Sequence, residues 1–198
     1  MQTALAIIAA YLVGSIPFAM ISSKIFGLAD PRTYGSGNPG ATNVLRSGNK
    51  KAALFTLIGD ALKGTLAVVV AKQMGLDDTT IALVALAVFL GHLYPVFLGF
   101  KGGKGVATAA GVLFALDPLL GAAVAGTWLL VAYVSRYSSL AALVAAAAAP
   151  LFAALMHGAT NQTIVVGILG MALIGKHWQN IQRLLAGQES KIGGKKKA

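Results

Sequence analysis

Long apolar runs dominate this sequence of 198 residues and leave few folds open to it. A helix needs roughly 20 apolar residues to cross a bilayer, and backbone polar groups inside lipid must be satisfied within the segment. We assign the runs to 3–26, 52–74, 80–98, 105–117, 119–135, 139–156 and 163–175. The sequence therefore predicts an all-α membrane protein, a polytopic bundle of about seven transmembrane helices.

The run at 105–117 is short for a full crossing. It is compatible with a tilted helix, a partly re-entrant helix or a helix that extends into the flanking residues. Five crossings are the alternative count. The first run has no basic segment before it and no clear cleavage site, so we expect a retained helix rather than a signal peptide. We expect a single membrane domain over 1–198, which ends in a basic cytoplasmic tail at 188–198.

The charged residues predict how the chain is oriented. The sequence has 16 Lys and Arg against 6 Asp and Glu, a formal charge of +10. If the runs cross alternately, nearly all basic loops fall on one side, and Asp77, Asp78 and Asp117 fall on the other. The positive-inside rule makes the basic side cytoplasmic, with the N-terminus outside and the C-terminus inside. Topology and anionic lipid then explain the charge, and we expect no nucleic-acid partner.

The first predicted cytoplasmic loop, residues 30–50, is rich in Gly, Ser, Thr, Asn and Pro. This composition indicates an ordered turn region rather than a helix. A polar linker is the simpler interpretation, but the loop has many hydrogen-bond donors and few acids, which favours anion binding. The candidate binding residues are Ser36, Gly37, Asn38, Gly40, Thr42, Asn43 and Arg46.

A second loop carries FKGGKGVAT at 100–108, where one apolar run ends and the next begins. Glycines let consecutive N–H groups face one anion, and Lys104 lies near the start of the next predicted helix, whose dipole also favours an anion. The pattern is not the nucleotide-binding G-x-x-x-x-G-K-[ST] loop, and a glycine turn with topological lysines is the simpler alternative. The candidates are Lys101, Gly102, Gly103, Lys104 and Gly105.

A third polar segment, at 176–190, continues the last run as an amphipathic helix. His177 and Asn180 share a face of that helix because they are separated by three residues, and we take both as catalytic candidates. Asp60 and Lys63 share a face of the second run, where they either pack helices as an ion pair or serve the chemistry. His92, in the third run, is interpreted first as a buried hydrogen-bonding residue and second as a substrate contact.

The three polar segments together resemble the bacterial acyl-phosphate:glycerol-3-phosphate acyltransferases, the PlsY family. The matching stretches are GSGNPGATNVLR at 35–46, GHLYPVFLGFKGGKGVAT at 91–108 and KHWQNIQRLLAGQE at 176–189. They occur in the family's order, and the resemblance covers essentially the whole chain. Two departures are Trp178, where many relatives have a basic residue, and Ala142, where some carry a second serine after Ser139.

The resemblance implies a seven-helix enzyme of the bacterial cytoplasmic (inner) membrane, with its active site facing the cytoplasm. It would move a fatty acyl group from acyl phosphate to the 1-hydroxyl of glycerol 3-phosphate, giving lysophosphatidic acid and phosphate. No metal or cofactor is implied, and we expect a monomer whose partners are these substrates and membrane lipid. The resemblance assigns the phosphates to Ser36, Gly37, Asn38, Arg46 and Gly102 to Gly105, essential roles to His177 and Asn180, and a structural role to Glu189.

The chemistry is consistent with these residues. An acyl phosphate is already activated, so the protein has to hold two anions together, which calls for Arg46, Lys104 and backbone N–H groups. We therefore take Arg46 and Lys104 as catalytic candidates together with His177 and Asn180. His177 is the candidate general base, and a phosphate oxygen of the substrate is the alternative proton acceptor.

Two other functions are the alternatives to this assignment. Acyltransferases that use acyl-CoA typically carry a His-x-x-x-x-Asp pair, and no histidine here has Asp at that spacing. A membrane anion transporter would have charged sites near the bilayer midplane, often on repeated broken helices, and Asp60 with Lys63 is the feature that favours it.

Overall fold

A computed structural model describes residues 1–193, and within that range the chain forms α-helices and no β-strand. The predicted basic tail extends to residue 198, so its lysines Lys195, Lys196 and Lys197 lie outside the described residues. The helices are α1 (Gln2–Gly14), α2 (Phe18–Ile25), α3 (Ala41–Leu45), α4 (Lys50–Gln73), α5 (Asp78–Leu93), α6 (Val106–Leu116), α7 (Pro118–Ser135), α8 (Ser138–His157), α9 (Asn161–Lys176) and α10 (Trp178–Leu185), with a 3₁₀ turn at Val96–Leu98.

Each apolar run of the sequence is helical in the structure, which confirms an all-helical membrane architecture. By length and composition, five helical segments of the described chain are candidate membrane spans. They are Gln2–Ile25, Lys50–Gln73, Asp78–Leu98, Pro118–Ser135 and Ser138–His157. The remaining apolar helices are shorter, 11 residues in α6 and 16 in α9, so a count of seven crossings stays a prediction, as does the orientation of the termini.

The chain divides into two compact units, Met1–Gly121 and the part from Ala122 onward. In the first unit, α1 packs on α5 and α4 packs on α6. Both pairs approach closely through glycine: an added Cβ at Gly14 would overlap the backbone of Val88, and one at Gly111 would overlap the carbonyl of Ala61. Small residues at helix crossings allow this backbone approach inside a membrane, where dispersion and packing hold helices together.

The first apolar run is two helices rather than the single one predicted. α1 ends at Gly14 and α2 begins at Phe18, because Pro17 has no N–H to continue the helical hydrogen bonds. The break leaves the carbonyl of Ile16 outside both helices, and Nζ of Lys63 on α4 donates to it at 2.9 Å. A buried lysine thus donates to a backbone carbonyl that the break leaves outside the helical hydrogen bonds.

In the second unit, α8 packs on α9, where an added Cβ at Gly170 would lie 2.6 Å from the carbonyl oxygen of Ala146. After α10 the chain remains attached to this unit. The N–H of Ile192 donates to the carbonyl of Arg136 at 2.7 Å, and Nη2 of Arg136 donates back to the Ile192 carbonyl at 3.1 Å. The described part of the predicted tail is therefore held in place as far as Ile192.

Candidate active site

The first loop is organised around one buried amide, that of Asn43 in α3. Its Nδ2 donates to the carbonyls of Pro31 at 2.6 Å and Tyr34 at 3.2 Å, and its Oδ1 accepts from the N–H of Ser36 at 2.9 Å and the hydroxyl of Ser36 at 3.2 Å. With four hydrogen bonds and an exposed fraction of 2%, the side chain is engaged in holding the loop. From the sequence we predict that Asn43 binds the substrate. In the structure its four side-chain hydrogen bonds are all to residues of the same loop.

Exposed donors surround this hub. Gly35 and Gly37 have positive φ angles of 62° and 68°, which glycine adopts without strain, and Ser36 lies between them. An added Cβ at Gly35 would overlap Oδ1 of Asn43 and lie 3.1 Å from Cδ of Arg46, so the Arg46 side chain runs alongside the glycine turn. Arg46 and Thr42 are both exposed. The loop therefore presents a cation and hydroxyls around a compact glycine turn.

The loop carries a single acid, Asp30, and that acid is paired. Its carboxylate accepts from Nε and Nη2 of Arg32 at 3.0 and 2.6 Å. The hydrogen bond from Arg32 is the main cause that lowers the pKa of Asp30 below its usual value. The single acid of the loop is therefore neutralised by its neighbour Arg32.

The glycine–lysine loop, residues 100–105, is held by the end of α5. The N–H of Gly103 donates to the carbonyl of His92 at 3.1 Å and the N–H of Gly102 to that of Leu93 at 3.3 Å. These two N–H groups are thus used inside the protein, which differs from the expected cradle of N–H groups facing an anion at these positions. Gly105, at φ 85°, precedes α6, and Lys104 beside it is half-buried. The anion-attracting features of this loop are the charges of Lys101 and Lys104 and the first turn of α6.

Every glycine of this loop is in close contact with α5 or the turn that follows it. An added Cβ at Gly102 would overlap the carbonyl of His92, one at Gly103 would overlap Nε2 of the His92 ring, and one at Gly105 would overlap the Phe89 ring. Lys101, in contrast, is exposed. Steric space therefore requires glycine at all three positions, and at Gly105 the positive φ angle requires it as well.

The loop lies against a buried polar cluster that the sequence left unassigned, formed by Asp60, Lys63 and His92. Oδ1 of Asp60 lies 2.8 Å from Nζ of Lys63 and 3.4 Å from Nδ1 of His92. The three residues are 2%, 3% and 8% exposed. Oδ1 accepts no well-aligned hydrogen bond from the described residues, so charge rather than hydrogen-bond geometry accounts for these approaches.

A pocket of about 10 Å³, room for roughly one water molecule, lies at this cluster. Its lining includes the three polar side chains, Gly102 and Gly103 of the second loop, and Pro39 of the first loop. The first unit therefore brings both predicted anion-binding loops to the same buried polar cluster.

In the second unit, His177 stands at the junction of α9 and α10 and is 3% exposed. Its Nδ1 lies 2.8 Å from the carbonyl oxygen of Leu173. A carbonyl only accepts, so this hydrogen bond requires the proton on Nδ1 and makes Nε2 the basic nitrogen of the neutral ring. The fold thus selects the tautomer that a general base at Nε2 needs.

Asn180 belongs to a network centred on Glu189. Oε1 of Glu189 accepts from Nδ2 of Asn180 at 2.8 Å and from Oγ of Ser139 at 2.9 Å, and Oε2 accepts from Nε of Arg183 at 2.7 Å. Burial opposes ionisation of this carboxylate, whose side chain is 5% exposed, but the three hydrogen bonds outweigh it and lower the pKa of Glu189. Sequence reasoning assigned no partner to Ser139, because a lone serine at the start of a span carries little signal.

The predicted site residues fall into the two units. The first unit contains the residues assigned to the phosphates and both candidate cations, namely Ser36, Gly37, Asn38, Gly40, Thr42, Asn43, Arg46, Lys101, Gly102, Gly103, Lys104 and Gly105. Of the four catalytic candidates, Arg46 and Lys104 are in the first unit, and His177 and Asn180, one helical turn apart, are in the second. The first unit also contains the buried cluster of Asp60, Lys63 and His92, whose contact with the glycine–lysine loop could not be predicted from the sequence.

Comparisons with known proteins agree with this all-helical membrane fold. The family model described as glycerol-3-phosphate acyltransferase matches residues 4–187. A protein of that name from Dechloromonas aromatica is 80% identical, and the match covers 100% of both chains. One from Burkholderia ambifaria is 62% identical over 100% of this chain and 94% of its own length.

Solved structures match this chain over nearly its whole length. A crystal structure of PlsY, an integral membrane glycerol 3-phosphate acyltransferase in its glycerol 3-phosphate form, is 41% identical with a TM-score of 0.92 and covers 98% of this chain and 96% of its own. The lysophosphatidic acid form is 40% identical with a TM-score of 0.90, covering 96% and 95%. Together these similarities define a multi-pass membrane acyltransferase. The chain belongs to the glycerol-3-phosphate acyltransferase family, in its PlsY branch.

Proposed function

We propose that this protein transfers a fatty acyl group from acyl phosphate to the 1-hydroxyl of glycerol 3-phosphate, releasing lysophosphatidic acid and phosphate. Membership of the family supports the acyl transfer. The solved PlsY relatives are described in a glycerol 3-phosphate form and a lysophosphatidic acid form, which would be the acceptor and the product of such a transfer.

The observation that carries the proposal is the tautomer of His177, since its Nδ1 is committed to the Leu173 carbonyl and its Nε2 is basic. In the reaction, the hydroxyl oxygen of glycerol 3-phosphate forms a bond to the acyl carbon as the bond from that carbon to the phosphate oxygen breaks. Nε2 of His177 accepts the hydroxyl proton and passes it to the departing phosphate, so the enzyme ends unchanged. The alternative acceptor is a phosphate oxygen of the substrate, with His177 orienting the hydroxyl.

The two phosphate groups repel each other, and cations have to hold them together. Arg46 and Lys104 are the residues we assign to this role, with Lys101 as a further exposed cation. We assign Ser36, Gly37, Asn38, Gly40 and Thr42 of the first loop to a phosphate. The N–H groups of Gly37 and Gly40 already donate to the carbonyls of Tyr34 and Asn38, and the Ser36 hydroxyl donates to Asn43, so Ser36 would have to turn its hydroxyl to reach a phosphate. Asn43 contributes by keeping that loop in shape, because its four hydrogen bonds are internal.

We assign the active face to the cytoplasmic side of the bacterial inner membrane, where a water-soluble acceptor meets a lipid donor. The distribution of basic loops supports this orientation. The protein would act as a monomer with membrane lipid around it. Transport of anions is not favoured, since Asp60 and Lys63 lie 2.8 Å apart and neutralise each other.

The donor is the part to be tested directly. Purified protein is offered glycerol 3-phosphate with acyl phosphate, acyl-CoA or acyl carrier protein as the rival acyl source, with and without a metal chelator. We expect turnover with acyl phosphate, unaffected by the chelator. Robust turnover with acyl-CoA alone, or complete loss of activity in chelator, overturns the assignment of the donor.

A further inference from the structure

We infer that His92, held by Asp60, is a positioning residue that sets the place of Gly102 and Gly103 in the glycine–lysine loop. The inference rests on the proposed function only in taking this loop to hold a phosphorylated substrate. It assigns work to three buried ionisable residues of the first unit that the reaction itself does not use.

The contacts between His92 and the loop involve both its backbone and its ring. The His92 carbonyl accepts from the N–H of Gly103 at 3.1 Å, and an added Cβ at Gly103 would overlap Nε2 of the ring. The ring therefore lies directly against the Cα of Gly103. Any rotation of that ring either pushes on the loop or leaves it unsupported.

The orientation of the ring is determined from the other side by Asp60. Nδ1 of His92 lies 3.4 Å from Oδ1 of Asp60, so the carboxylate attracts the edge of the ring that points away from the loop. One edge faces an anion and the other edge faces a glycine backbone. This arrangement makes His92 a spacer of defined length and angle between α4 and the loop.

Lys63 connects the same cluster to the break in the first span. Its Nζ lies 2.8 Å from Oδ1 of Asp60 and donates to the Ile16 carbonyl at 2.9 Å. The turn after α5 is also attached to α1, since the hydroxyl of Tyr11 donates to the Tyr94 carbonyl at 2.6 Å. Contacts with α1, α4 and α5 thus fix the position of the loop together.

The energetics favour a positioning role over simple packing. Burying charges inside a membrane protein is costly, and apolar residues of similar volume often pack at least as well as a buried ion pair. A buried carboxylate attracts a histidine edge in one orientation, whereas an apolar neighbour leaves the ring several. The polar cluster therefore provides a defined ring position, which a loop that must contact phosphate within a fraction of an ångström requires.

The test is a double-mutant cycle between His92 and Gly103. Gly103→Ala adds a methyl group where Nε2 lies, and His92→Asn keeps a nitrogen near the Nδ1 position while removing Nε2 and Cε1. We expect each single variant to lower kcat/KM by about tenfold, mainly through a higher KM for a phosphorylated substrate. In the double variant the methyl group has space, so we expect its kcat/KM to exceed the product of the single effects by about fivefold or more.

A second arm tests Asp60 without leaving a buried charge unpaired. Asp60→Asn combined with Lys63→Met removes both charges and keeps similar volumes. We expect it to lower kcat/KM as His92→Asn does, and we expect adding His92→Asn to it to cost less than about twofold more. The apparent Tm of each purified variant in detergent separates these kinetic effects from loss of folded protein.

The matched controls are Gly126→Ala, where an added Cβ has nothing within 4 Å, and His157→Asn at an exposed histidine. Both should keep kcat/KM within about twofold of the unmodified protein. Multiplicative effects of His92→Asn and Gly103→Ala, or unchanged kinetics in either arm, overturn the inference. All ratios are measured with whichever acyl donor supports turnover, so rejection of acyl phosphate as the donor leaves this test intact.

Discussion

Nδ2 of Asn180 donates to Oε1 of Glu189 over 2.8 Å. Because an ionised carboxylate only accepts, the amide nitrogen of Asn180 has to face Glu189, and the amide oxygen is turned the other way. Glu189 therefore decides which atom of Asn180 is presented away from the network. A glutamate described by resemblance as structural thus acts on the orientation of a catalytic candidate.

Glu189→Gln should destabilise the second unit by about 1–3 kcal/mol, because a single amide oxygen cannot accept from Asn180, Ser139 and Arg183 together. The effect should depend on pH. The folded protein has a lowered pKa at Glu189, so its contribution is complete above the unfolded pKa of about 4.3 and is lost as pH falls through the folded value. Apparent Tm should therefore fall between pH 6 and pH 3.5 by more in the unmodified protein than in Glu189→Gln. Parallel curves for the two proteins would contradict this assignment.

His177→Ala should lower kcat by about 10²–10⁴, the usual range for a general base. His177→Gln places an amide nitrogen near Nε2 and retains hydrogen bonding without basicity. If the histidine is the base, His177→Gln should be as slow as His177→Ala, and the acidic limb of the pH–rate profile should disappear in both. Strong rescue by the amide would assign the proton to a substrate phosphate, and nearly full kcat in His177→Ala would remove the histidine from catalysis.

Lys104→Ala should raise KM for a phosphorylated substrate, and should lower kcat as well if its charge acts more strongly in the transition state. Lys101→Ala is the matched comparison within the same loop, since Lys101 is exposed and Lys104 is half-buried. We expect the Lys104 variant to lose about tenfold or more in kcat/KM and the Lys101 variant to lose less. Steady-state kinetics in detergent check this prediction. Equal losses of kcat/KM in the two variants would mean that the loop attracts the substrate by its total charge and that Lys104 has no specific role.

Asn43→Asp should disrupt the first loop although the side chains have nearly the same shape. The substitution turns a carboxylate oxygen toward the carbonyls of Pro31 and Tyr34, where Nδ2 now donates. We expect a loss of about 1–3 kcal/mol in stability together with reduced activity. Asn49→Asp is the control, because Asn49 caps α4 through Oδ1 and aspartate caps helices equally well. If Asn43→Asp behaved like Asn49→Asp, the hub role of Asn43 would be wrong.

The predicted orientation can be tested with single cysteines, since the sequence contains no cysteine of its own. Thr42→Cys and Lys101→Cys report on the two loops, and Asp78→Cys reports on the opposite side; all three positions are exposed. In spheroplasts, an impermeant maleimide should label position 78 and should reach 42 and 101 only after the membrane is permeabilised. Labelling of position 42 or 101 in intact spheroplasts would reverse the topology.

The sequence predicted features that depend on local composition. The apolar run at 139–156 became α8 (Ser138–His157), and the Gly- and Asn-rich segment at 30–50 became a loop with the short helix α3. Features that depend on distant partners were missed. Nothing near Gly103 in the sequence indicates that its N–H is taken by the His92 carbonyl, and nothing near Asn43 indicates that its amide is buried. Periodicity and composition report on a segment, whereas these contacts depend on how separate segments meet.

Because of the break at Pro17, the N-terminal helices α1 and α2 cannot simply be replaced by a membrane anchor from another protein. A generic apolar anchor would insert into the bilayer equally well, but a continuous helix offers no unsatisfied carbonyl at the position of Ile16, where Lys63 now donates. In such a chimera, the ammonium group would have only Asp60 to neutralise it at that depth. The break between α1 and α2 is therefore matched specifically to Lys63 of α4. A grafted continuous anchor should still insert into the membrane, but we expect the glycine–lysine loop of the resulting enzyme to be displaced.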